Sequence, residues 1–323
     1  MILPQIFPGR LKLPVIAAPM TGVSGTALVT AACRNGVIGS FPTHNAESSA
    51  ELDEWLSAIH RDLADLGEAA APVAPNLVVH RSNARLGADL DVLLRQGAEL
   101  VITSVGSPAP VIGALHDTGA RVFADVSSLR HVERAVDAGV DGLILLTAGA
   151  GGQTGTANPF AFVRAARERF DGTIVLAGGI SDGASVLAAQ ILGADLVYMG
   201  TKFIATTESL ADEDYRAELV RSNLDDVRTT SAAGGIPANL LNGGLGRLSE
   251  ASRKATAPTG FEQDRLLSNR TVWSAGHSVS GVDSITPVAE LVRTVRDEYE
   301  SACEALLART GPGHDGALTA GTR

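Results

Sequence analysis

The chain has 323 residues, of which 45% are hydrophobic and 19% charged, and its formal net charge is −10. This apolar content suffices for a large core, and an acidic chain without a Lys/Arg cluster argues against a nucleic-acid partner or an anionic membrane surface. Cys33 and Cys303 show no metal-ligand spacing, the first residues carry no signal-peptide pattern and no apolar run approaches a membrane span, so we expect a cytoplasmic protein without a metal.

Eight short apolar runs follow one another from the start of the chain to about residue 205. In chain order they cover residues 14–20, 37–43, 73–79, 100–105, 121–126, 142–147, 173–177 and 196–201. They are apolar at nearly every position, which is typical of parallel strands buried on both faces. The stretches between them have helical spacing, at 52–66, 84–97, 108–118, 128–138, 159–169 and 183–192.

This alternation predicts an α/β protein with a (β/α)₈ TIM barrel. An open doubly wound sheet is the main competitor, but no GxGxxG follows the first strand. Residues 205–282 are polar and read as helical, and we expect them to form an insertion after the eighth strand that caps the C-terminal mouth. The barrel would then comprise 1–204 and 283–310 with a closing helix at 287–307, and 311–323 would be a disordered tail.

The predicted seventh and eighth strands both end in glycine. Gly178 and Gly179 follow the seventh strand, and Gly200 and Thr201 follow the eighth. Glycine lets backbone amides approach a phosphate without an intervening Cβ, and a hydroxyl and the start of a following helix would add to such a site. Tight turns are the alternative explanation. Phosphate sites of TIM barrels lie after these two strands, which favours phosphate binding.

The loop after the sixth strand reads AGAGGQTG at residues 148–155. Its glycines, including Gly151 and Gly152, surround one long polar side chain, Gln153. A plain strand-to-helix turn does not need this many glycines. The pattern therefore favours an active-site loop whose backbone lies against a flat ring or a substrate.

Six segments, in this order along the chain, carry a family resemblance. They are VIAAPM at 15–20, NL at 76–77, AGAGGQTG at 148–155, AGGISDG at 177–183, GADLVYMGTKF at 193–203 and WSAG at 273–276. Together they resemble the nitronate monooxygenase family, also called 2-nitropropane dioxygenases. Members of that family hold FMN non-covalently in a barrel, and many oxidise alkyl nitronates with O₂. Sister enzymes on the same scaffold are NAD(P)H-dependent reductases of enoyl thioesters or quinones.

The resemblance implies a set of FMN-binding residues. Ala18, Pro19 and Met20 would line the isoalloxazine ring together with the backbone of Gly151 and Gly152. Asn76 would hydrogen-bond the flavin or its ribityl chain. The phosphate would be held by Gly178, Gly179, Gly200 and Thr201.

One position departs from the family pattern. The family's loop normally reads GGH-x-G, and its His is the expected catalytic base or substrate-facing group, whereas this chain has Gln153 there. A carboxamide has no titratable proton near neutral pH, so Gln153 can form hydrogen bonds but cannot act as a general base. His44, His80 and Asp125, which follow or end other predicted strands, are candidates to replace it. Each His has a surface or capping role as its alternative.

Three functions compete at this point. The first is an FMN-dependent oxidoreductase that resembles nitronate monooxygenase, oxidises a small organic substrate with O₂ and carries Gln153 in place of the usual His. The second is an FMN-dependent reductase of an enoyl thioester or quinone driven by NAD(P)H. The third is a phosphate-binding barrel lyase without flavin, for which Lys202 is the only lysine at a strand end. The partner is in each case a small molecule, and a homodimer is left open.

Overall fold

The computed structural model describes residues 6–254 and 260–310. Eight parallel strands form a closed barrel in the order β1-β2-β3-β4-β5-β6-β8-β9. Their bounds are Val15–Ala17, Ile38–Pro42, Val73–Val78, Leu100–Ser104, Arg121–Val126, Gly142–Leu146, Thr173–Ala177 and Leu196–Met199. Each lies within one of the eight predicted runs, so the predicted (β/α)₈ barrel is confirmed. The predicted tail at 311–323 lies outside the described residues.

The barrel interior follows from the two-residue periodicity of a strand. Inward positions such as Ile16, Ile102, Phe123 and Ile144 are fully buried and form one apolar cluster. Two residues further along their strands, the last inward positions form the floor of the C-terminal mouth. Four strands carry a polar residue at an inward position near their C-terminal ends: Asn76 on β3, Ser104 on β4, Asp125 on β5 and Tyr198 on β9.

Helices surround the barrel, and those that connect its strands are α1 to α7. Their bounds are Thr26–Arg34, Ser49–Leu63, Leu86–Arg95, Ala109–Asp117, Leu129–Asp137, Pro159–Arg167 and Gly183–Leu192. The closing helix α13, Val288–Thr310, packs against α7 and α1. A Cβ on Gly183, the first residue of α7, would lie 2.0 Å from the backbone nitrogen of Tyr299. The two helices can approach this closely only because that residue is glycine.

Residues 205–282, which we call the cap, lie over the C-terminal mouth and contain more than helices. Short helices are present: α8 (Thr201–Ile204) leads into the segment, and α9 (Glu213–Arg221), α10 (Asn242–Leu245), α11 (Glu250–Lys254) and α12 (Gln263–Ser268) lie within it. A hairpin of β10 (Val227–Thr230) and β11 (Ala238–Leu241) was not predicted. It pairs with a two-residue strand of the loop after β6, β7 (Gly152–Gln153), in an antiparallel sheet of order β10-β11-β7.

The cap has an apolar core of its own. Tyr215, Leu219, Leu241 and Trp273 are buried together, and the Tyr215 and Trp273 rings stack with centroids 5.5 Å apart and planes 9° apart. This packing holds the cap as a structured layer over the barrel.

Among the described residues, no helix combines the length and the apolar character that crossing a membrane requires.

Candidate active site

A single cavity occupies the C-terminal mouth of the barrel, between the strand ends and the cap. The empty space there is about 1400 Å³ when the part open to solvent is counted with it. All ten residues predicted to bind the cofactor line it, together with three of the four predicted catalytic residues, Gln153, His44 and Asp125. The ten are Ala18, Pro19, Met20, Asn76, Gly151, Gly152, Gly178, Gly179, Gly200 and Thr201.

The floor of the cavity carries buried polar atoms without partners. Ser104 Oγ donates a hydrogen bond of 3.2 Å to Asn76 Oδ1. Asn76 Nδ2, Asp125 Oδ1 and the Tyr198 hydroxyl are buried and have no hydrogen-bond partner among the described residues. Buried polar groups are almost always paired, so three unpaired ones around one cavity indicate a polar ligand that completes them.

Burial also sets the protonation state of the floor. Desolvation raises the pKa of the Asp125 carboxyl to about 8, because burial penalises the charged form. The pKa of the Tyr198 hydroxyl is raised well above its usual value, first by desolvation and then by the nearby Asp125. Both groups therefore carry their protons at neutral pH, and the floor is neutral there.

The ends of β8 and β9 supply backbone amides. Gly178 has φ +118°, and a Cβ on it would lie 2.5 Å from Thr147 Oγ1, while Gly179 has φ +76° with open space where its Cβ would be. The amides of Gly179, Gly200 and Thr201 make no hydrogen bond within the described ranges. The Thr201 hydroxyl accepts a 3.0 Å hydrogen bond from the Gly276 amide and can still donate one. These groups fit a phosphate.

Helix N-termini contribute little to this phosphate site. The Asp182 carboxylate caps α7 by accepting from the Ser185 amide, and Glu298 Oε2 accepts from the Gly183 amide at 3.0 Å. The chain's own carboxylates thus occupy the start of α7. The helix that begins at Thr201 is only four residues long, so the dipole expected there is small. A phosphate would therefore be bound mainly by the backbone amides of the loops after β8 and β9.

The loop after β6 is held in place by the cap. β7 pairs with β11, with Gln153 opposite Ala238 and Gly152 opposite Asn239. The buried Asn239 side chain donates 2.8 Å to the Ala150 carbonyl and accepts 2.6 Å from Thr229 Oγ1. The Gln153 carboxamide has no hydrogen-bond partner among the described residues, so its donor and acceptor are available to a ligand in the cavity.

Gly151 is required by packing as well as by the cavity. A Cβ on Gly151 would lie 2.6 Å from the backbone nitrogen of Gly276. The loop therefore rests directly on the WSAG segment at 273–276. The glycine run of this loop serves two purposes, because it lines the cavity and also allows the cap to come close.

The two predicted histidines lie in different surroundings. His44 Nε2 is 2.9 Å from Thr21 Oγ1, and its buried Nδ1 has no partner in the described part of the chain. Desolvation, with the Arg85 charge as a smaller cause, lowers the pKa of His44 to about 4, so its ring is neutral at neutral pH.

The structure does not bring His80 to the cavity. Its Nδ1 is 2.8 Å from Ser82 Oγ, and its ring meets Phe261 of the cap edge-on, with centroids 5.4 Å apart. β3 ends at Val78, and His80, two residues further on, contacts the cap but is not among the residues that line the cavity. Lys202, the strand-end lysine of the lyase hypothesis, is also absent from the cavity lining.

Sequence reasoning missed three residues of this site. Tyr198 and Ser104 are polar positions in apolar strands, and counting two residues on from Leu196 and Ile102 would have placed both on the floor. Arg270 is exposed at the mouth and is the only Lys or Arg among the described residues that line the cavity. Nothing in its surrounding sequence distinguishes it.

The barrel, its cap and a mouth that presents amides on one side and a polar floor on the other define a (β/α)₈ barrel protein with a ligand site at its C-terminal mouth. Residues 8–298 match the sequence model of the nitronate monooxygenase family, so the chain belongs to that family and is an enzyme of the oxidoreductase type. The predicted resemblance is thereby confirmed. The chain is 28% identical to a nitronate monooxygenase of Paraburkholderia phytofirmans over 91% of this chain and 94% of that protein.

Three further proteins to which the chain is similar carry other names. An octahydro-indene carboxyl-CoA dehydrogenase of Mycobacterium tuberculosis is 26% identical over 76% of this chain and 67% of its own length. A nitroalkane oxidase of Streptomyces ansochromogenes superposes with a TM-score of 0.80 at 22% identity, covering 94% of this chain and all of its own. FabK of Thermotoga maritima gives 0.79 at 22% identity, with 95% and 99% covered. The two structures support the fold.

Proposed function

We propose that this protein is an FMN-dependent oxidoreductase that oxidises a small organic anion, such as an alkyl nitronate, with O₂. One observation carries the proposal: the unpaired amides after β8 and β9 face the same cavity as the unpaired polar atoms of Asn76, Asp125 and Tyr198. A ligand with a phosphate at one end and a flat polar ring at the other satisfies both sets. FMN has this form and supplies a ring that accepts and passes on electrons.

Different residues of the cavity would contact different parts of that ligand. Gly179, Gly200 and Thr201 would hold the phosphate, and Ala18, Pro19 and Met20 would flank the ring. The cap residues Ala233, Ile236 and Leu266 line the opposite wall and would keep bulk water off the site.

Gln153 and His44 would contact the substrate. Gln153 can donate a hydrogen bond to an anionic oxygen but cannot take a proton. The unpaired Nδ1 of the neutral His44 can accept one, although a pKa near 4 makes it a weak base. A nitronate that is already ionised needs no base, which is why we propose an anion rather than a neutral nitroalkane as the substrate.

The first experiment is the absorbance spectrum of the purified protein, before and after incubation with FMN. We expect a bound flavin spectrum. A preparation that is colourless once unbound FMN has been removed, and that shows no thermal shift with FMN, would rule out the proposal. Anaerobic addition of an alkyl nitronate should then bleach the flavin, and admission of O₂ should restore it.

A second candidate is a reductase fed by NAD(P)H that acts on an enoyl thioester or a quinone. It is favoured by the extent of the cavity lining, which runs from Asp125 and Tyr198 on the barrel floor to Leu266 and Arg270 of the cap, where a substrate longer than a nitronate could make contacts. Anaerobic mixing with NADH and NADPH separates the two candidates. Bleaching by a nicotinamide but not by a nitronate would favour the reductase.

The exchange at position 153 can be tested directly. Gln153→His supplies a base, so we expect oxidation of a neutral nitroalkane to rise by about 10²-fold, the lower range for general-base catalysis, with little change for the nitronate. Gln153→Asn serves as the control that keeps a carboxamide. Equal activities of the His and Asn variants toward the nitroalkane would show that the missing base does not determine the choice of substrate.

A further inference from the structure

We infer that Asp125 enters the site as a carboxylic acid that donates a hydrogen bond to an acceptor atom of the bound flavin, so that FMN binding in mildly alkaline solution takes up one proton. The inference rests on the proposed function, because it concerns how the same cavity recognises FMN. It assigns to Asp125 a binding role in place of the catalytic-base role considered from the sequence.

The position of Asp125 supports a contact with the ligand. Asp125 occupies the last inward position of β5, lines the cavity, and leaves a buried Oδ1 without a partner in the described chain. On the floor around it, Asn76 Nδ2 and the Tyr198 hydroxyl are also unpaired. Within residues 6–254 and 260–310 no group bonds Asp125 Oδ1, so a ligand that reaches the floor is the expected partner.

Charge favours the acid form. Asp125 is the only carboxylate among the described residues of the cavity lining, and the only cation there is the exposed Arg270 at the rim. A buried carboxylate without a nearby cation is strongly penalised, whereas a carboxylic acid is not. The acid can donate a hydrogen bond to a ring nitrogen or carbonyl. A carboxylate at the same place would repel the electron density that a flavin ring gains on reduction.

The other titratable groups that face the cavity do not change charge in the same pH range. The pKa of His44 is lowered to about 4 by burial. The pKa values of Tyr198 and Tyr215 are both raised, chiefly by burial. The remaining charged group of the described lining is the guanidinium of Arg270. With the pKa of the Asp125 carboxyl at about 8, it is the one lining group of the described chain that titrates between pH 7 and 9.

The test is an FMN titration of the flavin-free protein at pH 7, 8 and 9, followed by quenching of flavin fluorescence. For the wild type we expect the Kd to rise between pH 8 and 9, approaching the tenfold per pH unit that linkage to one proton requires. Asp125→Asn keeps a donor but cannot ionise, so its Kd should be the same at all three values. Asp225→Asn, at an exposed position of the cap, should follow the wild type.

Calorimetry on the wild type gives a readout that does not depend on the variant's folding. Titrations with FMN at pH 8.5 in two buffers of different ionisation enthalpy should show uptake of most of one proton, and at pH 7 of almost none. Tight binding with no proton uptake at pH 8.5, or an unchanged pH dependence in Asp125→Asn, would overturn this inference alone. Failure to bind FMN at every pH would remove the proposed function and the inference together.

Discussion

The Asp125 carboxyl should also leave a signature in the stability of the flavin-free protein. Because burial raises its pKa from 3.8 to about 8, the folded state keeps a proton that the unfolded state releases. The free energy of unfolding therefore falls as pH rises between these two values. At about 1.4 kcal/mol per pKa unit, we expect a loss of about 2 kcal/mol between pH 6.5 and 8, offset only slightly by His44, which is neutral in the folded state and loses its remaining proton in the unfolded state over this range.

Urea unfolding of wild type and Asp125→Asn at pH 6.5, 7.2 and 8 measures this effect. The variant should lose the downward slope and be the more stable protein at pH 8. Parallel pH profiles would show that Asp125 is ionised in the folded state. His44 acts in the opposite sense at lower pH: its lowered pKa means that stability declines as pH falls from about 6.5 toward 4.

Arg270 is the residue at which an anionic substrate would first meet a positive charge. Arg270→Gln should raise the KM for an alkyl nitronate by about fivefold, since an exposed ion pair contributes roughly 1 kcal/mol at most, and should leave kcat nearly unchanged. The dependence of KM on salt should flatten in the variant. Arg130→Gln, on the exposed face of α5, is the matched control. A nitronate KM that is equal in the two variants would exclude Arg270 from substrate recognition.

For individual residues, the sequence predicted which side chains lie in the mouth better than it predicted their protonation. Gly178, Gly179 and Gln153 could be placed in the mouth because they lie in loops that follow barrel strands, where the active site of this fold is known to lie. His80 could not be excluded, because the direction of the chain after Val79 depends on contacts with Phe261 of the cap. The protonation of Asp125 depends on burial by strands distant in sequence, which no local pattern reveals.

The three-stranded sheet β10-β11-β7 is the element on which the position of Gln153 depends. Asn239→Ala removes the buried side chain that bonds Ala150, Thr154 and Thr229. We expect a loss of about 1–3 kcal/mol in the free energy of unfolding, which is typical when buried hydrogen-bonding groups lose their partner. We also expect weaker FMN binding, because the loop after β6 is then held less firmly.

The control for this variant is Asn35→Ala, whose amide bonds the Ala31 carbonyl at the end of α1, far along the chain from the cap. Both variants should lower stability, measured by chemical denaturation, but only Asn239→Ala should raise the Kd for FMN. Unchanged FMN binding in Asn239→Ala would mean that β7 keeps its place without this side chain.

Elements were predictable in proportion to their burial. The barrel strands are apolar along their length because both faces are covered, and each was found in the sequence. β7 has two residues and β10 reads VRTT, half exposed. Their pairing is set by the antiparallel register with β11, not by a periodicity, and residues 205–282 were therefore read as helical.

The molecule as a whole depends on the closing helix α13 lying flat against α7. Gly183→Ala would push a methyl group against the backbone of Val295, Glu298 and Tyr299, at 2.0–2.5 Å. Backbone atoms cannot move aside as a flexible side chain does, so we expect a loss of about 3 kcal/mol in the free energy of unfolding.

Gly113→Ala is the matched control, since its Cβ would meet no atom within 4 Å in the middle of α4. It should be neutral or stabilise the protein by up to about 1 kcal/mol, the difference in helix propensity. Thermal or urea unfolding of the two variants makes the comparison. Equal stabilities would show that the α7–α13 contact relaxes without penalty.

The shared sheet of loop and cap has a consequence for protein engineering and for how such enzymes diverge. Because β7 is hydrogen-bonded to β11, a foreign cap placed on this barrel would have to pair with a β7 of different sequence unless residues 149–155 travelled with it. A pairing that failed would leave an open strand edge, which invites misfolding and aggregation. Chimeras that exchange the two segments as one unit should fold, and swaps of either alone should not. New substrate preferences in this family would then evolve by paired changes in the loop after β6 and in the cap.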